Sequence, residues 1–300
     1  MSAPIDANRV RALFAEPQRV SPADFLRREI AERMHERLSL VKILPQRVLD
    51  AGCGAGPDLG TLQKTYPAAQ IVGIDASPAM LAGAQGQGKA APPAMRSLNQ
   101  MLSRLMPAKA GVDLLCGDFG TLPFGPNSID LVWSNLALHW HPQPDRVFAE
   151  WRRVLRVDGL LMFSNFGPDT FKELRTAFAA LDETPHTLPF VDMHDFGDQL
   201  VEAGFSTPVM DAERITVTYG AVEALLADVR AIGGNPLATR RRGLIGRAAW
   251  QRMVDALEAM RGTDGKIGLT FEVIYGHAFR PVPKTTAAGE SIVRFQPRQP

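Results

Sequence analysis

From residue 47 onward, short apolar runs alternate with longer segments of mixed polarity. Arg47–Ala51, Gln70–Ile74, Val112–Leu115, Ile129–Ser134 and Gly159–Ser164 read as strands bounded by glycine, proline or polar residues. Strands that alternate with helical or loop segments imply a parallel sheet covered by helices on both faces, and right-handed crossovers make it doubly wound. Ahead of the sheet, residues 9–40 are rich in Arg and Glu. Their apolar period through Phe25, Ile30, Met34 and Leu38 predicts one amphipathic helix, ended by Pro45.

Two segments break the rhythm. Residues 83–111 carry Gly, Gln, Ala and the pair Pro92-Pro93, then a helix-like stretch from Met95 to Met106, and read as a surface insertion with a flexible first half. Residues 167–265 include helical segments at 221–232 and 247–261 around a Gly-Gly-Asn turn and an arginine cluster. Ile215–Tyr219 and Leu269–Phe279 are strand-like and can add antiparallel strands at the sheet edge. The proline-rich tail after Pro281 reads as disordered.

Composition narrows the function classes. The 300 residues are 45% hydrophobic and 22% charged, with 33 Lys plus Arg against 32 Asp plus Glu. The near-zero balance leaves no global field to hold nucleic acid or a membrane, so a charged partner must meet a local patch. No apolar run approaches the roughly 18 residues a bilayer crossing needs. Met1-Ser2-Ala3-Pro4-Ile5-Asp6 lacks the basic start and apolar stretch of a signal peptide, and the two cysteines, Cys53 and Cys116, are too few for a disulfide framework. The expectation is a soluble cytoplasmic protein, monomeric, with no nucleic-acid or membrane partner.

Chemistry concentrates at strand ends. In Val48-Leu49-Asp50-Ala51-Gly52-Cys53-Gly54-Ala55-Gly56, an apolar strand runs into a turn with glycine at alternate positions. Glycine there lets backbone approach a ligand that a Cβ would block. The spacing is not the G-x-G-x-x-G of dinucleotide sites, and an acidic residue beside the turn suits a cationic or zwitterionic ligand better than a pyrophosphate. Asp75 ends the next strand, where a carboxylate can take both hydroxyls of a ribose; its alternative role, a helix N-cap, falls better to Ser77 before Pro78. In Gly117-Asp118-Phe119 the acid can accept from an adenine amino group while the ring lies against the base.

Three acidic strand ends in this order resemble the class I S-adenosylmethionine-dependent methyltransferases. Asp50 with Gly52-Cys53-Gly54 matches their first motif, Asp75 their ribose acid and Asp118-Phe119 their adenine pair. Leu122-Pro123-Phe124 followed by Ile129-Asp130-Leu131-Val132 matches the approach to strand four. The resemblance implies S-adenosyl-L-methionine as cofactor, with Ala76, Met80 and Asn135 completing its site. It also implies a Rossmann-like α/β fold whose mostly parallel seven-stranded sheet has the order 3-2-1-4-5-7-6, strand seven antiparallel, plus an N-terminal helix and helical lid insertions. The implied division is a helical cap (1–44), a cofactor-binding core (45–166), an acceptor-side lid with the last strands (167–280) and a tail (281–300).

Trp133-Ser134-Asn135-Leu136-Ala137-Leu138-His139-Trp140 replaces the Asn/Asp-Pro-Pro-Tyr/Phe set of adenine and glutamine N-methyltransferases. It is similar instead to the strand-four segment of the biotin-pathway malonyl-acyl-carrier-protein O-methyltransferases. Glu150–Gly159, Phe166–Arg175, Asp228–Gly233 and Phe271–Arg280 are similar too, so the resemblance spans about residues 10–280. One departure is the N-terminal segment: Phe14 is present, but Arg19-Val20-Ser21-Pro22 lacks the tyrosine usual in that family. A cousin with much the same motifs is the mitochondrial complex I assembly factor that hydroxylates an arginine, and small-molecule C- or O-methylation is a further alternative.

A carboxylate acceptor is already ionised near neutral pH and needs neither general base nor metal. It does need cationic or donor groups, for which Arg175, Arg230, His277 and Arg280 are the candidates. His139-Trp140-His141 lacks a nearby third ligand and reads as a loop rather than a metal site. Cys53, between two turn glycines, reads as a small filler. Arg240, Arg241 and Arg242 with Arg247 are either a solvated loop or a dock for the acidic surface of an acyl carrier protein.

Overall fold

The structure, a computed structural model, describes residues 4–87 and 111–283. Strands β1 (Arg47–Ala51), β2 (Gln70–Asp75), β3 (Val112–Cys116), β4 (Ile129–Asn135), β5 (Leu155–Phe166), β6 (Ser206–Tyr219) and β7 (Ile267–Phe279) form one sheet in the order β3-β2-β1-β4-β5-β7-β6. β1 to β5 pair in parallel, and β7 runs antiparallel to both β5 and β6. This is the class I methyltransferase order.

Apolar runs such as Val48-Leu49 and Leu131-Val132-Trp133 are buried on both faces because helices cover both sides of the sheet. One face packs Trp133, Met162, Phe166 and Phe271 against helix Asp24–Ser39; the other packs Leu49, Val132, Phe148, Trp151, Phe163 and Phe196. Tight strand–helix approach requires small residues. A Cβ on Gly73 of β2 would lie 2.9 Å from Cys53 Sγ.

The structure corrects several boundaries. The single helix expected over 9–40 is four pieces: Ala7–Phe14, Pro17–Val20, a 3-10 turn Ser21–Ala23, and Asp24–Ser39. Pro17 and Pro22 each sit in a first turn, where a missing N–H costs nothing, and so restart the helix. Phe25 is 46% exposed, while Leu26, Ile30, Met34 and Leu38 are buried. Four-residue spacing puts Leu26, not Phe25, on the core stripe. Helix Pro78–Gln87 runs through the start of the expected insertion, whose remainder, including Met95–Met106, lies outside the described residues, as does the tail from 284. β6 begins nine residues earlier than the expected Ile215 start, and its exposed–intermediate alternation is that of an edge strand. The two late helices form as Val222–Ile232 and Arg247–Glu258.

Candidate active site

At the carboxyl ends of β1, β2 and β4 lies a cavity of about 940 Å³. Its floor is the strand-end turn after β1. Gly52 N and Cys53 N donate to Ile74 O at 2.8 and 3.0 Å, so the turn is stitched to β2. Gly52 has φ +82°, and a Cβ there would sit 2.3 Å from Ala137 Cβ; Gly54 has φ +54°. Both conformations favour glycine, and the first position also has no room for anything larger.

Three carboxylates gather around this turn. Asp75 accepts from Gly54 N (2.9 Å) and Ser77 N (2.8 Å). Asp58, on the far side, accepts from Trp133 Nε1 (3.1 Å) and Asn135 Nδ2 (3.3 Å). Asp50 is 2% exposed, and among the described residues nothing donates to its carboxylate. Burial pushes all three carboxyls above their ordinary values, and for Asp50 the neighbouring Asp58 and Asp75 add to the effect. A buried acid cluster to which no cation is paired directly fits a ligand that brings one. The sulfonium and ammonium of S-adenosylmethionine answer that need, and the glycine turn supplies backbone a ligand can approach.

Sequence-expected residues separate here into those brought together and those left elsewhere. Asp50, Gly52, Gly54, Asp75, Ala76, Met80, Phe119 and Asn135 all line the cavity. Asp118 does not. Its carboxylate turns toward the His141 ring at 3.6 Å and accepts from Gly120 N at 2.7 Å, and these hold it below the usual carboxylate range. Ser77 takes the capping role, accepting from Met80 N, and its hydroxyl donates to Phe14 O at 2.7 Å. Phe14 in turn packs edge-on against Trp140, with centroids 5.5 Å apart. The N-terminal segment thereby closes over the cavity, with Val10, Phe14, Pro17 and Val20 in its wall. Cys53 is buried and its thiol is pushed up by burial and the nearby acids, consistent with a filler.

Among the described residues none of the four acceptor candidates reaches the cavity. Arg175 donates to Thr170 O and Pro168 O and borders a separate groove with Phe178, Asp182, His186 and Phe190. Arg230 is exposed on helix Val222–Ile232. His277 pairs with Met162 and Val209 in mid-sheet. Arg280 donates to Arg153 O and Leu155 O, at the amino end of β5 and therefore at the sheet edge opposite the site. For His277 and Arg280 the reason is register: β7 is antiparallel, so its last residues travel away from the carboxyl ends of the parallel strands.

The cavity's own cations are Arg27 and Arg28, and His35 stacks on Trp133 with centroids 4.4 Å apart. Arg27 and Ala31 lie four apart beside the buried Ile30–Met34 stripe, a cation on the edge of an apolar face. That was the available signal. His139 pairs through Nδ1 with Asn165 Oδ1 at 2.6 Å, and His141 faces Asp118; among the described residues no cluster of three His, Cys, Asp or Glu is placed to hold a metal. In the arginine loop, Arg240 pairs with Asp6 and Arg241 with Asp182, while Arg242 and Arg247 are exposed beside the 96% exposed Leu244.

Residues 49–163 match the family described as Methyltransferase domain. A protein of Laribacter hongkongensis named malonyl-(acyl-carrier protein) O-methyltransferase is 47% identical over 98% of this chain and 97% of its own length. A protein of the same name from Gallionella capsiferriformans is 43% identical over 97% and 96%. The chain belongs to the malonyl-(acyl-carrier protein) O-methyltransferase family. It is a methyltransferase, and its fold agrees with solved structures: the YcgJ protein of Bacillus subtilis superposes with a TM-score of 0.55 at 15% identity, covering 83% of this chain and 98% of that one. S-adenosylmethionine is the methyl donor.

Proposed function

We propose that this protein transfers a methyl group from S-adenosylmethionine to the free carboxyl of a malonyl group carried on acyl carrier protein, giving the malonyl methyl ester that opens biotin synthesis. The observation that carries the reading is near-full-length identity to proteins of that name, joined to a cavity whose lining fits the cofactor. When bound, the cofactor supplies a methyl already made electrophilic by its sulfonium. Asp75 is placed to accept from ribose hydroxyls while Gly54 N and Ser77 N hold its orientation. Asp50 and Asp58 offset the ligand's positive charge. Phe119 presents a face to the base, and the Phe14–Trp140 contact shields the transfer point from water. No group in this scheme acts as a base, because the acceptor carboxylate arrives deprotonated.

Esterification removes a charge that chain-elongating enzymes with apolar tunnels would otherwise have to desolvate. Arg242 and Arg247, with Leu244 between them, are the exposed groups suited to an acidic carrier surface, and the reaction runs in the cytoplasm. Incubation with methyl-labelled cofactor and malonyl-carrier should yield a base-labile methyl ester; no ester sinks the reading. Restoration of biotin-free growth to a strain lacking its own carboxyl methyltransferase tests the same reading in cells.

A further inference from the structure

The cavity is electrostatically lopsided. Asp50, Asp58 and Asp75 line the cofactor side and Glu32 and Glu36 lie along helix Asp24–Ser39, while of the two lining arginines Arg28 is exposed and Arg27 half-buried. An acceptor carboxylate is repelled across most of this volume. The exception is one corner. There the cavity meets a niche of about 10 Å³, and Arg27, Leu136 and Trp140 line both. The rest of the niche wall is chiefly apolar, including Leu26 and Phe166.

Arg27 is held rigidly at that corner. Its Nη1 donates to Val20 O at 2.8 Å and to Asp24 Oδ1 at 3.0 Å, and its Nη2 to Ala231 O at 3.3 Å. A guanidinium has five N–H donors, so among the described residues the Nε–H and one Nη2–H are uncommitted. Its side chain is 22% exposed. Asn135 Nδ2, at the end of β4, donates to Arg27 O at 3.1 Å and so ties the arginine's backbone to the strand end where transfer occurs. His139, the niche's other titratable group, does not compete for an anion. Burial first, and the Arg27 charge as well, push its pKa down to about 4, so the ring is neutral near pH 7.

We propose that the Arg27 corner, walled by Leu136 and Trp140, is the subsite for the acceptor's carboxylate, with the two uncommitted Arg27 donors holding it beside the cofactor. The inference rests on the malonyl-carrier reading above and names the group that selects a charged acceptor there. Beside apolar walls an arginine–carboxylate contact is strong, and an ester, having no charge, keeps only a weaker neutral-acceptor hydrogen bond. The same contact therefore distinguishes substrate from product and favours release of the methyl ester.

The test compares wild type with Arg27→Gln and Arg27→Lys, using S-adenosylhomocysteine titration, steady-state kinetics on malonyl-carrier, and inhibition by the carrier-bound methyl ester. Wild type must first methylate malonyl-carrier; if it does not, the malonyl reading fails and the subsite claim fails with it. Given an active wild type, Arg27→Gln should raise KM by about thirtyfold or more, with S-adenosylhomocysteine affinity within about threefold. It should also bring the affinities for malonyl-carrier and its methyl ester together, which a merely structural role would not do. Arg27→Lys should recover a preference for the charged acceptor. An unchanged KM in Arg27→Gln, or a folded, cofactor-binding lysine variant with no such preference, would overturn the subsite while leaving the malonyl reading intact. If the glutamine variant does not fold, the lysine variant alone decides between these outcomes.

Discussion

The two walls of the cavity are built by different means. The wall proposed for the cofactor comes from strand ends and one tight turn: Asp50, Gly52, Gly54 and Asp75 fall within a 26-residue stretch, and β1–β2 pairing brings them together. The wall proposed for the acceptor is assembled from distant pieces. Arg27 comes from the third N-terminal helix, Leu136 and Trp140 from the segment after β4, and Ala231 O, which anchors Arg27, from a helix more than two hundred residues away. Backbone geometry dictates the first wall, and long-range packing the second.

The comparison breaks most sharply at Gly52. Gly52→Val places a Cβ 2.3 Å from Ala137 Cβ at φ +82°, so cofactor binding should fall by more than about a hundredfold, with a lower Tm, in calorimetric titration and thermal melts. Asp75→Ala comes next. It strips two backbone donors of their acceptor and removes the ribose contact, at about 1.5–3 kcal/mol for each charged hydrogen bond, so calorimetry should show affinity weakened by tens-fold or more. Gly54→Val should lose affinity with the fold kept, since its Cβ would meet Met80 Cε alone, at 3.3 Å.

Asp50→Asn sharpens the contrast differently, because it should separate stability from binding. The native Asp50 carboxyl is raised by burial and by two neighbouring acids, so between the ordinary aspartate value of about 4 and the raised one the native state binds more protons than the unfolded chain. Ligand-free stability then falls as pH increases through that window. Asn removes this charge, so the variant should melt about 2 °C or more above wild type at pH 7, with a flatter pH profile, while cofactor affinity drops. A variant that melts lower would show that Asp50 is structurally paired.

The smallest effect is expected at the arginine loop. Arg240 and Arg241 already hold Asp6 and Asp182, so replacing them mainly loosens the N-terminal segment and the loop after helix Lys172–Ala179. Arg242→Ala with Arg247→Ala should raise KM for malonyl-carrier by a few-fold, at about 0–1 kcal/mol each, with kcat unchanged and added salt reproducing the loss. Equal loss on a carrier-free thioester would place the defect in folding rather than docking.

Asp50, the glycine turn, Asp75 and the strand alternation were legible because each depends on neighbours close in sequence: an apolar run predicts its strand, and alternate glycines predict the turn that follows. Five parallel strands and both late helices were found this way. The placement of Asp118 outside the cavity lining was not legible because its local motif says nothing about His141, and only tertiary structure brings that ring within 3.6 Å. That Arg280 and His277 lie away from the cavity was not legible because register in an antiparallel strand is a property of pairing, which carries the last residues of β7 toward the amino end of β5. Arg27 was overlooked because its meaning depends on Val20, Ala231 and Asn135 meeting around it, contacts spanning from 7 to 204 residues. Local backbone preferences, which act over a few residues, determined the strand-end turn and its acids; the placement of Arg27 was decided by which distant segments the folded chain packs into one corner.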